Sequence, residues 1–310
     1  MCSHYKVVNY KRYLKEILNV SEWSQERLAQ ELGVSFATLN SWVRDRSVPR
    51  IKAQKRIELL FFSLAGNIKV SNDELEAEKL KAIRFHITAN EIVSNKKLLD
   101  TLTLQLTYHT NTIEGSTMTL SDVGEVLFDN KILSNRTAIE QTEVRNHQAV
   151  LNWLLDQISA NNNLVIDETF IKNIHLRLMN GIVSDAGQFR NHSVRIQGSR
   201  TTVSNWMKIP DLIKNIHTNI DKSSNDIISI LAKFHADFEK IHPFSDGNGR
   251  TGRLILLVMA LQAQIVPPII LKERKHAYYK YLEVAQMNEN YKPLELFIAS
   301  SIISTDKILR

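Results

Sequence analysis

The sequence predicts a mainly α-helical protein in two unequal units, and three observations carry that expectation. Its 310 residues include only 10 Gly and 6 Pro, few turn-formers for such a length. Apolar residues recur at three- and four-residue steps over most of the chain. Only one stretch, near residue 200, alternates like a β-hairpin, so a single hairpin is expected on a helical frame. The length suggests about two domains, because single cores rarely grow far beyond roughly 250 to 300 residues. The expected division is a small all-α helix-turn-helix unit at 1–66, a linker at 67–80 and a larger helical domain at 81–310.

Composition narrows the setting. Apolar residues make up 43% of the chain, enough for proper cores. The single Cys2 leaves no intramolecular disulfide, and the N-terminal residues have no apolar signal region, which points to a reducing, cytoplasmic setting. The longest apolar run, residues 254–261, is far short of the roughly 20 residues that a spanning helix needs, so no membrane partner is expected. The net charge of +6 is uneven. Residues 1–66 carry eleven Lys and Arg against six Asp and Glu, or +5, which leaves +1 for the rest.

Taken in order, Ser24 is placed to cap a helix carrying Leu28 and Leu32 on one face, Gly33 makes the turn, and Ser35 caps a second helix that runs to about Val43. Small Ala29, turn Gly33, Val34 and core-facing Leu39 and Trp42 follow the helix-turn-helix pattern. The stretch resembles the helix-turn-helix of Cro-like and phage-repressor-like proteins. That resemblance implies duplex DNA as a partner, with Ser35, Phe36, Ala37, Thr38, Asn40, Ser41 and Arg44 facing the major groove, and allows a homodimer. Arg46, Arg50, Lys52 and Lys55 would lie near phosphates. Any two short helices around a glycine give a similar pattern, and such units also dock proteins.

Residues 67–80 are polar and acidic and read as a linker running into the next helix. A helical pattern over 90–113 ends at Thr110-Asn111-Thr112-Ile113-Glu114-Gly115. The plain reading makes Gly115 the residue after the helix and Glu114 its last turn. A carboxylate at a helix C-terminus nevertheless sits unfavourably in the dipole. Thr119-Leu120-Ser121-Asp122 opens the next helix with a capping box. Glu143, Asn146 and Ala149 share a helix with Val150, Leu151 and Leu154 and read as core. Beyond a helix over 170–179, the hairpin signal is Val194-Arg195-Ile196 and Thr201-Thr202-Val203 flanking Gln197, Gly198, Ser199 and Arg200.

The densest chemistry follows. Ile227, Ile230, Leu231, Phe234, Phe238 and Ile241 form one helical stripe that Pro243 ends, and Leu254, Leu257, Val258 and Leu261 restore the period. Between them lie His242, Asp246, Gly247, Asn248, Gly249, Arg250, Thr251, Gly252 and Arg253. A glycine turn feeding a helix start, with two arginines on the first turns, is an anion site. The glycines satisfy G-x-G-x-x-G, but a dinucleotide fold needs a preceding strand, and a P-loop needs a lysine that is missing. His235 and His242 lack a third zinc ligand at a familiar spacing, and His235 reads as a core histidine. A phosphate cradle beside a hard carboxylate for Mg²⁺ and a histidine supplies the parts of a phosphoryl or nucleotidyl transferase. Nearer the C-terminus, Tyr278, Tyr279, Leu282, Ala285 and Gln286 share a helical face, and residues 294–303 close the chain as an apolar helix.

Residues 242–253 also meet all nine specified positions of H-P-F-x-D-G-N-G-R-x-x-R, and so the chain resembles Fic-domain proteins. The resemblance implies a helical Fic domain with a β-hairpin flap that transfers AMP from ATP to a hydroxyl side chain of a target protein. It implies His242 as base, Asp246 as the Mg²⁺ ligand, and Gly247, Asn248 and Gly249 as the anion cradle. Arg250 and Arg253 would clamp the outer phosphates, and Phe244 would anchor the loop. The flap residues 197–200 would lie over the nucleotide and align the target by strand addition. Tyr278, Tyr279 and Gln286 would surround adenine and ribose, although Gln286 stands where asparagine is commoner. Thr110 to Gly115 meets [ST]-x-x-x-E-[GN], which implies an inhibitory Glu114 paired with Arg253. A rival from another class is a DNA-binding regulator whose Fic part senses nucleotide or modifies itself. The same fold can also move other phosphate-linked groups or remove AMP.

Overall fold

The computed structural model describes residues 10–64, 70–161, 163–196, 201–216 and 226–310. Among the described residues the regular structure is helical, with a single isolated antiparallel bridge between His86 and Ile265.

The N-terminal unit holds α1 (Tyr10–Ser21), α2 (Gln25–Leu32), α3 (Phe36–Val43) and α4 (Ile51–Leu64). Ser24 and Ser35 accept the N–H groups of Arg27 and Thr38, satisfying donors that a helix start leaves free. Gly33 ends α2 in the left-handed region at φ 65°, where its N–H bonds back to Ala29 and Gln30. Leu28, Leu32, Leu39 and Trp42 turn inward onto Tyr13, Leu14 and Ile17 of α1 and Ile57 and Phe61 of α4.

Next come α5 (Asn72–Ala82), α6 (Ala89–Ser94), α7 (Lys96–Ile113), α8 (Leu120–Phe128), α9 (Ala138–Ala160) and α10 (Glu168–Met179). The remaining helices are α11 (Ile209–Asn215), α12 (Ile227–Ile241), α13 (Asn248–Gln262), α14 (Lys275–Asn288) and α15 (Lys292–Leu309). Thr119 starts α8 with the expected capping box, its partner being Asp122. The second half of the expected linker is in fact helical. Ser71 caps α5, Asp73 and Glu74 sit at its positive end, and α5 packs on α15. Lys79, nearly buried, bonds Asp226 (2.6 Å) and Glu295 (2.5 Å), so charges that read as solvated are fastened into the domain.

The central element is α13, buried from Asn248 to Leu261 apart from Gly249, with α7, α9, α10 and α12 packed around it. Its start is therefore the floor of whatever opens above it. The expected hairpin has no counterpart among the described residues. Val194-Arg195-Ile196 and Thr201-Thr202-Val203 run without regular structure, and Gln197, Gly198, Ser199 and Arg200 lie outside the described residues.

Candidate active site

Helix α12 stops because Pro243 follows His242, and His242 takes the left-handed conformation (φ 50°, ψ 62°) that turns the chain out of the helix. Its Nδ1 lies 3.3 Å from the Glu239 carbonyl, an acceptor, so Nδ1 carries the proton and Nε2 carries the free lone pair. Burial is the main cause that pushes its pKa down to about 4, and the nearby Arg190 guanidinium adds to it. At neutral pH the imidazole is therefore neutral and ready to accept a proton.

The loop from Phe244 to Gly247 is closed from within. The Asn248 side chain accepts the Phe244 N–H and donates to the Phe244 carbonyl, both at 2.8 Å. Its side-chain amide thus shapes the loop, while its backbone N–H belongs to the start of α13. Gly247 precedes α13 at φ 76°, and no side chain caps that helix. The first-turn N–H groups of α13 thus have no side-chain cap, the arrangement that suits an anion.

Asp246 stands beside them with its side chain 62% exposed. Its Oδ1 accepts the Gly247 N–H at 2.6 Å. Arg250, expected as a phosphate clamp, is buried between Glu143 of α9 and Asp246. Glu143 is thus more than core filling, since it holds an arginine at the site. Burial raises its pKa, while Arg250 opposes the rise.

Arg253 is buried and faces α7. Its Nε donates to Thr110 Oγ1 at 2.6 Å, and its Nη2 donates to Glu114 Oε1 at 2.5 Å. Burial opposes the charge on Arg253, but Glu114 and the neighbouring tyrosines more than offset it and the pKa rises. The first and fifth residues of the 110–115 motif thus hold one guanidinium. Glu114 also fills the space beside Gly249, where a Cβ would collide with its Oε1. Lys275 of α14 donates to the Ile113 carbonyl at 2.5 Å, which steadies this end of α7.

Of the three residues expected around adenine and ribose, Tyr279 is 39% exposed beside the site. Tyr278 is fully buried, with its hydroxyl 2.6 Å from His235 Nε2. Gln286 donates to the Ala236 carbonyl at 3.1 Å and ties α14 to α12. Both polar groups thus find partners within the fold. His235 is the core histidine expected, neutral through burial.

Three further residues escaped sequence reading. Arg190 donates from Nε to the His242 carbonyl (2.7 Å) and from Nη2 to the Ser204 carbonyl (2.6 Å), and its own N–H bonds Pro243 (2.9 Å). Asp185 accepts the Ser245 hydroxyl at 2.6 Å. His175 stacks on Phe244 with ring centroids 3.7 Å apart. Each of the three reaches a residue of the 242–246 turn that lies 52 to 71 positions away in sequence, beyond any local pattern.

In the N-terminal unit, Ser35, Phe36 and Arg44 are exposed, and Thr38, Asn40 and Ser41 are partly so. Ser35 pairs with Thr38 and Ser41 with Ser47 through their hydroxyls. Arg46, Arg50, Lys52 and Lys55 are also exposed.

Residues 165–260 match the profile of the Fic/DOC family. Several curated relatives bear the name protein adenylyltransferase Fic. The one from Aedes aegypti is 29% identical over 200 residues, covering 63% of this chain and 39% of that protein. The one from Nematostella vectensis is 26% identical over 271 residues, covering 83% and 56%. The chain thus spans about two fifths to just over half of these relatives' length. In fold it resembles Fic-1 from C. elegans (TM-score 0.65, 19% identity, 96% of each chain covered). It also resembles a Fic family protein from Desulfovibrio desulfuricans G20 (TM-score 0.61, 24% identity, 78% and 74% covered). The loop of residues 242–253 lies inside the family match, and the stretch around it is similar to the Fic/DOC family.

Proposed function

We propose that the chain is a protein adenylyltransferase held in check by Glu114. The observation that carries this reading is one turn presenting a neutral His242 with its Nε2 lone pair free, beside the uncapped start of α13 and the exposed Asp246. In this reading the triphosphate of ATP lies over the first turn of α13. A target hydroxyl oxygen attacks the α-phosphorus, its proton passes to His242 Nε2, the bond from the α-phosphorus to the bridging oxygen breaks, and pyrophosphate leaves. Asp246 is a single hard carboxylate, which suits Mg²⁺ bound jointly with phosphate oxygens. Among the described residues no cluster of three His, Cys, Asp or Glu gathers to hold a metal without them. When bound, Mg²⁺ would neutralise phosphate charge beside Asp246. Arg253 serves the γ-phosphate once Glu114 releases it, and Glu114 is the inhibitory residue.

An open groove of about 1100 Å³ runs along Val194, Ile196, Thr202, Trp206 and Met207 beside Arg190. It supports this segment as the place where a target backbone lies against the expected flap. The reaction class is tested with ATP labelled at the α- or the γ-phosphorus, using Glu114→Gly chain to raise the rate. Protein-bound label from the α-position alone is expected. Label from the γ-position would mean phosphoryl transfer and overturn the reading.

A second reading concerns residues 1–66, and the exposed cations from Arg44 to Lys55 favour it. As a duplex-DNA unit it loses affinity steeply with salt, log against log, because phosphate contacts release counterions. Arg44→Ala weakens it. Fluorescence anisotropy on genomic fragments, with and without ATP, checks both points. A flat salt response would assign the unit to protein docking instead. No helix among the described residues is long and apolar enough to cross a membrane.

A further inference from the structure

We propose that His175 is the positioning residue for Asp246, fixing the peptide that carries this carboxylate and lashing it to the start of the segment that holds Arg190. The inference rests on the reading of Asp246 given above.

His175 lies on α10, fully buried, and both ring nitrogens are engaged. Gly187 N–H, which can only donate, points at Nδ1 from 2.8 Å. Nδ1 must therefore accept, and the ring proton of the neutral imidazole sits on Nε2, which donates to the Asp246 carbonyl at 3.0 Å. The ring plane is fixed as well, because Phe244 stacks parallel on it with an interplanar angle of 0°. Both partners on either side of the ring come close through glycine. Gly247 (φ 76°) has Met179 Sδ at 2.7 Å and His175 Nε2 at 3.3 Å from where a Cβ would stand, and Gly187 (φ 78°) has Leu176 Cβ at 2.9 Å. The two peptides are thus pressed onto α10 and joined across one imidazole.

The consequence falls on Asp246. Its carboxylate projects into solvent, and the shorter of its two bonds, 2.6 Å, comes to Oδ1 from the Gly247 N–H, against 3.4 Å to Oδ2 from Arg250 Nη2. What fixes the 246–247 peptide therefore aims the carboxylate. The sequence gives no hint of this, because the partners of His175 lie 12 and 71 residues away.

Two variants in the full-length Glu114→Gly chain separate aiming from folding. His175→Phe keeps an aromatic ring on Phe244 and deletes both hydrogen bonds, whereas His175→Gln retains one acceptor and one donor. Isothermal titration with ATP in the presence of Mg²⁺, and again with EDTA, reads the metal-dependent part of binding separately from the rest. We expect His175→Phe to weaken the Mg²⁺-dependent part about 10- to 100-fold, as loss of an outer support of a metal ligand does, with EDTA binding unchanged and His175→Gln close to the parent. An unchanged Mg²⁺ dependence in His175→Phe overturns the proposal whatever its melting temperature. If His175→Phe does not fold, or if the Glu114→Gly chain binds no ATP, the unliganded parent chain still decides. Nitrogen-15 imidazole shifts must show Nε2 protonated and Nδ1 bare, and the opposite tautomer would overturn the bridge.

Discussion

At the level of single residues, the site turns on which atoms are already spoken for. His242 keeps one nitrogen busy on Glu239 and leaves the other free, and burial places its pKa at about 4. His242→Ala should remove transfer by about 10² to 10⁴-fold while ATP titration heats stay near the parent values, because the ring adds nothing to phosphate charge neutralisation. The competent neutral form exists above the lowered pKa and is lost below it. The transfer rate should therefore be flat between about pH 6 and 8 and fall only in acid. Reading residues from sequence succeeded where a motif fixes both members of a pair, as with Glu114 and Arg253. It was silent on the internal bonds of Asn248, Tyr278 and Gln286, because a sequence lists donors and acceptors without their partners.

At the scale of helices, α13 shows why glycine is needed inside a buried element. A Cβ at Gly252 would meet Glu239 Oε1 at 2.7 Å and the rings of His235 and Phe238 at 3.1 Å. Gly252→Ala should lower stability by about 1 to 3 kcal/mol in urea titrations, the usual cost of overpacking. Gly124, inside α8, meets only Leu104 at 3.8 Å. There the gain in helix propensity should dominate, and Gly124→Ala should raise stability by up to about 1 kcal/mol in the same titration. The helices flanking the loop were legible because their apolar stripes and terminal signals agree. Helix α5 was misread as linker because its polar composition hides Lys79, whose acidic partners lie on distant parts of the chain.

Over the whole molecule, α14 is a wall shared by two units. Tyr278 faces the Arg253 side, while Tyr281, about one turn on, meets Tyr13 of α1 with 3.3 Å between hydroxyls. Glu58 of α4 is buried at the same junction, accepts the Tyr10 hydroxyl, and burial raises its pKa to about 7. Glu239, buried beside Arg253, is raised by burial to about 8. Both are raised above their unfolded values, so their favourable contribution is complete below about pH 4.5 and is lost as pH rises through 7 and 8. The chain should resist urea better near pH 5.5 than near pH 8.5, and Glu58→Gln should flatten part of that slope. The contact of α14 with α1 was not legible, since tyrosines at helical spacing look the same whatever core they face. In the proposed function, the Glu114 carboxylate keeps this site silent by holding Arg253. Holding a site about 99% off needs only roughly 2.7 kcal/mol, within reach of one oriented ion pair that also fills the space beside Gly249. The direct measurement is protein-bound label from α-labelled ATP at equal concentrations of the parent, Glu114→Gly and Glu114→Gly with Arg253→Ala. Strong labelling in the single variant alone is expected, and equal labelling by the parent and Glu114→Gly would contradict it.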